Sequence, residues 1–175
     1  MFTAFIVVAV VIVIILGFAA AKPNMFQISR ATSIKAPADK VYPLINDLHN
    51  FNTWNPFAKK DPDMKLSYSG AQSGRGAAYA WEGPKVGAGR MEIVDAAAPS
   101  KVVLKLDFSK PFEAHNMVEF TLEPKGDTTN VQWAMRGPMP FMHKVMTLFF
   151  SMDRMVGKDF EAGLADMKAA AETRG

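Results

Sequence analysis

The side chains best suited to chemistry are few and scattered in this sequence. Its three histidines, His49, His115 and His143, lie far apart, with no His-x-x-x-His pair and no clustered carboxylates beside them. The spacing that would hold a divalent metal is therefore missing, and no metal site is expected. There is no cysteine, which excludes disulfides, thiolate zinc sites and a cysteine nucleophile. No Gly-x-Ser-x-Gly elbow occurs, so a serine hydrolase is not expected. Gly83, Gly87 and Gly89 fall between two strand-like stretches rather than before a helix, which reads as a hairpin turn and not as a dinucleotide loop. No cofactor is expected. Three groups remain for acid–base work near a ligand carbonyl: Tyr79, Arg30 and His115. Arg30 shares its parity with Ile28 and Ile34, and Asn116 with Val118 and Phe120. An inward Arg30 would bind a carboxylate or phosphate bidentately; the other reading is a strand-end arginine reaching solvent or a structural carboxylate. His115, Glu119 and Arg136 fall on the opposite parity and read as solvated. Asp61 and Asp63, beside Lys59 and Lys60, read as a solvated loop.

A second set of residues suits binding rather than catalysis. Trp54, Tyr79, Trp81, Phe120, Trp133, Phe149 and Phe160 are the aromatic candidates for lining an apolar cavity, which needs only a few placed polar groups. Six of the twelve methionines lie between Met139 and Met167, Met146 among them. Flexible, polarizable thioethers suit a surface that accepts variable apolar ligands, although they also serve as core filler.

These side chains must be carried by recognisable elements. Residues 25–35 alternate as a strand. Pro37 then opens a helical stretch over 38–48, with a kink expected at Pro43. Residues 49–57 read as a second short helix that stops at Pro56. Six strand-like stretches follow, at 64–69, 76–82, 86–96, 101–109, 113–123 and 128–136, with turn signals between them. Residues 141–173 carry apolar positions at helical spacing without proline. They predict one long amphipathic helix, interrupted at most at Gly157 and Gly163. The order implies an α+β domain with helices on one face of an antiparallel sheet.

The N-terminus is different in kind. In residues 1–21 only Thr3 and Gly17 fall outside the apolar class, and residues 2–21 carry no charge. That length suits a bilayer core, so residues 1–23 are expected to be an uncleaved transmembrane anchor and residues 24–175 the ligand-binding domain. A cleaved signal peptide fits less well, since no basic residue precedes the apolar run. The first cations, Lys22, Arg30, Lys35 and Lys40, all follow that run. Positive flanks stay inside, so the expected location is the cell membrane, single-pass, with the domain on the cytoplasmic side. Net charge is +3, and the longest run of like charge is Lys59-Lys60. No basic stripe marks a nucleic-acid partner.

The chain resembles the START-like (SRPBCC) superfamily, in its polyketide cyclase/dehydrase and lipid-transport branch, over residues 25–172. Four patterns carry the resemblance. One is Ile34-Lys35-Ala36-Pro37-Ala38 with Val41-Tyr42 and Asp47. The second is Phe51-x-x-Trp54-Asn55-Pro56-Phe57, and the third Gly87-x-Gly89-x-Met91-x-Ile93. The last is Thr129-x-Val131-x-Trp133-x-Met135-x-Gly137 leading to Gly157-x-Asp159-Phe160-Glu161-x-Gly163-Leu164. The resemblance implies a helix-grip fold: a curved antiparallel sheet of about seven strands wrapped around the C-terminal helix, two short helices after strand one, and an apolar cavity between sheet and helix. It implies a hydrophobic small molecule or lipid as partner, or else a cyclase/dehydratase-like reaction in the same cavity. A transmembrane segment is not part of that family pattern.

Overall fold

The computed structural model describes residues 2–173. The strand alternation produces β1 (Met25–Ile34), β2 (Lys65–Gly70), β3 (Ala77–Gly83), β4 (Gly87–Ala97), β5 (Lys101–Lys110), β6 (Ala114–Lys125) and β7 (Thr128–Pro138). They form one antiparallel sheet in the order β1-β7-β6-β5-β4-β3-β2. Strands β2 to β7 are thus successive hairpins, and β1 pairs on the far side of β7. One parity is buried, including Leu104, Leu106, Val118, Phe120, Val131 and Trp133. Lys105, His115 and Arg136, on the other parity, are exposed. Register shifts between β4 and β5, at Ala88/Gly89 and Ile93/Asp95, locally bend the sheet.

The helical connection after β1 is more broken than expected. It runs as α2 (Ala38–Val41), α3 (Pro43–Asn46), α4 (Leu48–Trp54) and α5 (Pro56–Lys60). Pro43 does not kink a helix; it starts one, because a proline in the first turn has no N–H to lose. The second short helix, α4, does stop just before Pro56, and Pro56 also begins α5. The restarts at α4 and α5 have side-chain caps, and the one at α3 has none. Asp47 accepts the His49 N–H at 2.8 Å, and Asn55 accepts the Phe57 N–H at 3.1 Å. The Trp54 indole N–H donates to the buried carbonyl of Leu44 at 2.7 Å, which fixes α4 on α3.

The C-terminal segment is also two helices, α6 (Phe141–Met146) and α7 (Met152–Thr173). The break falls at 147–151, while both expected interruptions lie inside α7. Gly157 is there for close approach, since a Cβ at that position would meet the guanidinium of Arg30. Phe160, Leu164, Met167 and Ala171 of α7 are buried against the sheet. The methionine-rich stretch divides accordingly: Met167 is buried and Met152 packs on the core, but Met142, Met146 and Met155 are exposed.

Residues Phe2–Ala20 form α1. Among the described residues no helix is long and apolar enough to cross a membrane, so the separate transmembrane helix expected from sequence is not found as such. What is present is an uncharged helix with exposed side chains, from Phe5 through Phe18. It touches the rest of the chain at its C-terminal end, where Ala19 is fully buried.

Candidate functional site: an apolar cavity

Between the sheet and α7 lies a cavity of about 320 Å³. This is within the range, roughly 300–1,000 Å³, that holds a small organic ligand. Its walls come from three sources. The inward parity of the sheet supplies Tyr79, Trp81, Met91, Leu106, Val118, Trp133 and Met135. α7 supplies Val156 and Phe160, and α4–α5 supply Phe51, Asn55 and Phe57. The Trp133 and Phe160 rings stack at 4.0 Å between centroids and 9° between planes. Trp54 stands edge-on to Trp133 at 5.6 Å, so it buttresses the wall from behind.

Tyr79 carries the polar group of most interest in this pocket. Burial pushes its phenol well above the ordinary tyrosine value, the neighbouring Tyr68 adds to the shift, and Asn55 offsets part of it. At neutral pH the hydroxyl is therefore a hydrogen-bond donor and not a base. Asn55 is buried and already engaged, capping α5 and donating to Asn52 Oδ1 at 3.0 Å. Among the described residues no three metal-ligating side chains converge anywhere.

A family model described as "Polyketide cyclase / dehydrase and lipid transport" matches residues 25–172. The chain belongs to this polyketide cyclase/dehydrase and lipid-transport family. Solved structures repeat the fold at low identity. A protein from Mesorhizobium loti is 14% identical with a TM-score of 0.62, over 85% of this chain and 98% of its own. DynU16, from the dynemicin biosynthetic locus, is 15% identical with a TM-score of 0.58, over 87% of this chain and 48% of its own. CalU16 from Micromonospora echinospora is 16% identical with a TM-score of 0.51, over 81% and 63%. No curated protein matches the chain.

Within this family domain the expected site residues separate into three groups. Tyr79, Trp81, Trp133 and Phe160 line the cavity. Trp54 and Phe120 are at most 1% exposed and stand behind the lining as core. Met146 and Phe149 are not in the cavity at all; they are 55% and 65% exposed beside the α6–α7 break. Helical spacing alone assigned them inward, but the break rotates that stretch away from the sheet.

Arg30 does fall on the inward parity, yet its partners are internal. It meets Asp153 at 3.0 Å and Glu161 at 2.8 Å, and donates to the backbone oxygens of Ser29 and Asp153. It is a clamp between β1 and α7, which is the structural-carboxylate reading. His115 points outward to Asp107 at 2.6 Å. Of the three acid–base candidates only Tyr79 faces the cavity.

The residues that sequence reasoning missed cluster at the cavity mouth, formed by Phe57, Lys60, Met64, Lys85, Val86, Phe108 and Val156. Asp61 organises it. Far from being solvated, it is 1% exposed, and its Oδ2 accepts the N–H groups of Lys85 at 2.8 Å and Val86 at 3.2 Å. This ties the end of α5 to the β3–β4 turn. Lys60 reaches Asp159 at 2.6 Å and Lys59 reaches Asp166 at 2.7 Å, which ties α5 to α7. Gly89 makes room for a wall residue, since a Cβ there would meet the Trp81 ring and the backbone oxygen of Asp107.

Proposed function

We propose that this protein binds a hydrophobic small molecule or lipid in the cavity, without catalysis, and that α1 anchors it in a membrane. The observation that carries the binding reading is the cavity itself: about 320 Å³ walled almost wholly by apolar and aromatic side chains. Membership of a family that includes lipid transport supports it.

The anchor rests on α1. A helix apolar on every face is stable only in protein or in lipid, and most of α1 is not covered by protein. Its 19 residues rise ~28 Å at 1.5 Å each. That falls just short of a bilayer core of about 30 Å, so the single-pass anchor proposed over residues 1–23 takes in the residues that flank α1, and the domain is residues 24–175. Cations on the domain side of α1 favour a cytoplasmic domain. Digestion of the full chain in sealed vesicles by added protease reports that side.

The test of binding is to purify residues 24–175, extract them with organic solvent, and examine the extract by mass spectrometry, followed by titration with a fluorescent fatty acid. A co-purified hydrophobe or saturable binding is expected. Neither appearing would overturn the proposal. A cyclase-like reaction is favoured by one observation, the protonated Tyr79 hydroxyl in the cavity. If turnover of a polyketide substrate is found and Tyr79→Phe abolishes it while binding persists, the catalytic reading replaces the binding one.

A further inference from the structure

Among the described residues, every large apolar side chain that is exposed outside α1 lies at one end of the sheet, except Met155, which is in the first turn of α7 beside the Asp153 partner of Arg30 midway along β1. That end holds the starts of β1, β2, β4 and β6 and the ends of β3, β5 and β7. Met25 and Leu66 stand at the starts of β1 and β2, Phe112 in the β5–β6 turn, and the rest on the 141–150 segment that follows β7. Phe112 is 73% exposed, Met142 69%, and Phe149 and Phe150 about as much. The opposite end is built from polar turns such as Lys125-Gly126-Asp127 and Gln72-Ser73-Gly74-Arg75. A one-sided apolar surface of this extent marks an interaction site.

Two further observations identify what covers it. The partly exposed lining residues Met64, Val86 and Phe108, which mark the cavity mouth, stand before β2, in the β3–β4 turn and near the end of β5, at this same end. In addition, α1 is fastened to it without slack. Lys22 Nζ donates to the backbone oxygen and Oγ1 of Thr147, both at 3.0 Å. Lys144, itself buried, donates to Asn24 Oδ1 at 2.6 Å, and the Met139 N–H donates to the Asn24 carbonyl at 2.7 Å. Whatever receives α1 must also receive the 141–150 segment.

We infer that this end of the domain lies on a lipid bilayer. Phe112, Met142, Phe149 and Phe150 enter the acyl boundary, as apolar faces of interfacial helices do. The mouth then faces lipid, so a hydrophobic ligand passes between bilayer and cavity without crossing water. This rests on the proposed anchoring and binding, and adds which surface meets the membrane.

The absence of cysteine makes the test direct. Single variants of the full chain, Phe112→Cys, Met142→Cys, Phe149→Cys, Val10→Cys and, at the opposite end, Asp127→Cys, are labelled with an environment-sensitive fluorophore. They are then reconstituted in phosphatidylcholine–phosphatidylglycerol vesicles with or without doxyl-labelled lipid. A blue shift with doxyl quenching is expected at 10, 112, 142 and 149, and neither at 127. Quenching at 10 but not at 112, 142 and 149 overturns the docking while leaving the anchor standing. No quenching at any site overturns both. A blue shift at 112, 142 and 149 without doxyl quenching shows a protein partner or second copy there instead, and also overturns the docking. Fatty-acid titration of each variant in detergent reports independently whether the binding reading survives.

Discussion

At the scale of single residues, the cavity depends on side chains whose roles are set by distant partners. Asp61→Ala removes the acceptor of two part-buried N–H groups, and a hydrogen bond of this kind contributes about 0.5–1.5 kcal/mol net. The urea midpoint is expected to fall accordingly, and backbone amide exchange at Lys85 and Val86 to speed up. Gly89→Ala forces a methyl between the Trp81 ring and the Asp107 carbonyl. Overpacking of this kind costs about 1–3 kcal/mol, and a shifted Trp81 should lower fatty-acid affinity as well as stability. Tyr79 gives a pH signature. Its folded phenol titrates above the unfolded one, so its contribution is present in full below the unfolded value of about 10 and is lost as pH rises beyond it. Denaturation midpoints between pH 9 and 11 should decline, and Tyr79→Phe should flatten that decline. Sequence made Tyr79, Trp81, Trp133 and Phe160 legible because strand parity and helical spacing are local properties. Asp61 was illegible because its burial is decided by a turn more than twenty residues away.

Among the elements, the decisive joint is between α7 and β1. Arg30 holds Asp153 and Glu161 of α7, while Lys168 donates to the Ser33 carbonyl at 2.6 Å and Glu172 accepts the Lys35 N–H at 2.7 Å. These contacts hold the carboxyls of Asp153 and Glu172 below their ordinary values: Asp153 through the Arg30 hydrogen bond, Glu172 through the backbone N–H of Lys35. Their stabilisation is therefore present above the unfolded carboxylate range and is lost as pH falls through the folded values. Unfolding followed by circular dichroism from pH 6 to 2 should show that loss, and Arg30→Gln should shrink the part that belongs to Asp153. The strands were readable from the sequence almost to the residue because alternation and turn residues agree. The helices were not. Proline starts a helix as readily as it ends one, and the break at 147–151 carries neither proline nor glycine. What sets that break is tertiary: α6 is fastened to the chain entering β1, and α7 to the sheet.

For the whole molecule, the order of elements sufficed to infer the sheet–helix architecture, because hairpin succession leaves few alternatives, while the resemblance to the family rested on four residue patterns in that order. It did not give the polarity of the domain, with apolar side chains gathered at one end and polar turns at the other. Deleting residues 1–23 should move the chain from the membrane to the aqueous fraction on sedimentation, yet leave fatty-acid binding in detergent unchanged.

The hydrogen bonds from Lys22 to Thr147 then have a kinetic meaning. On the proposed reading they leave no tether length over which the domain could leave its own patch of membrane. Ligand capture becomes a search in two dimensions, governed by the ligand's mole fraction in the lipid rather than by its concentration in solution. Diluting a fluorescent ligand with inert lipid should slow uptake, whereas adding buffer at constant lipid composition should leave the rate alone.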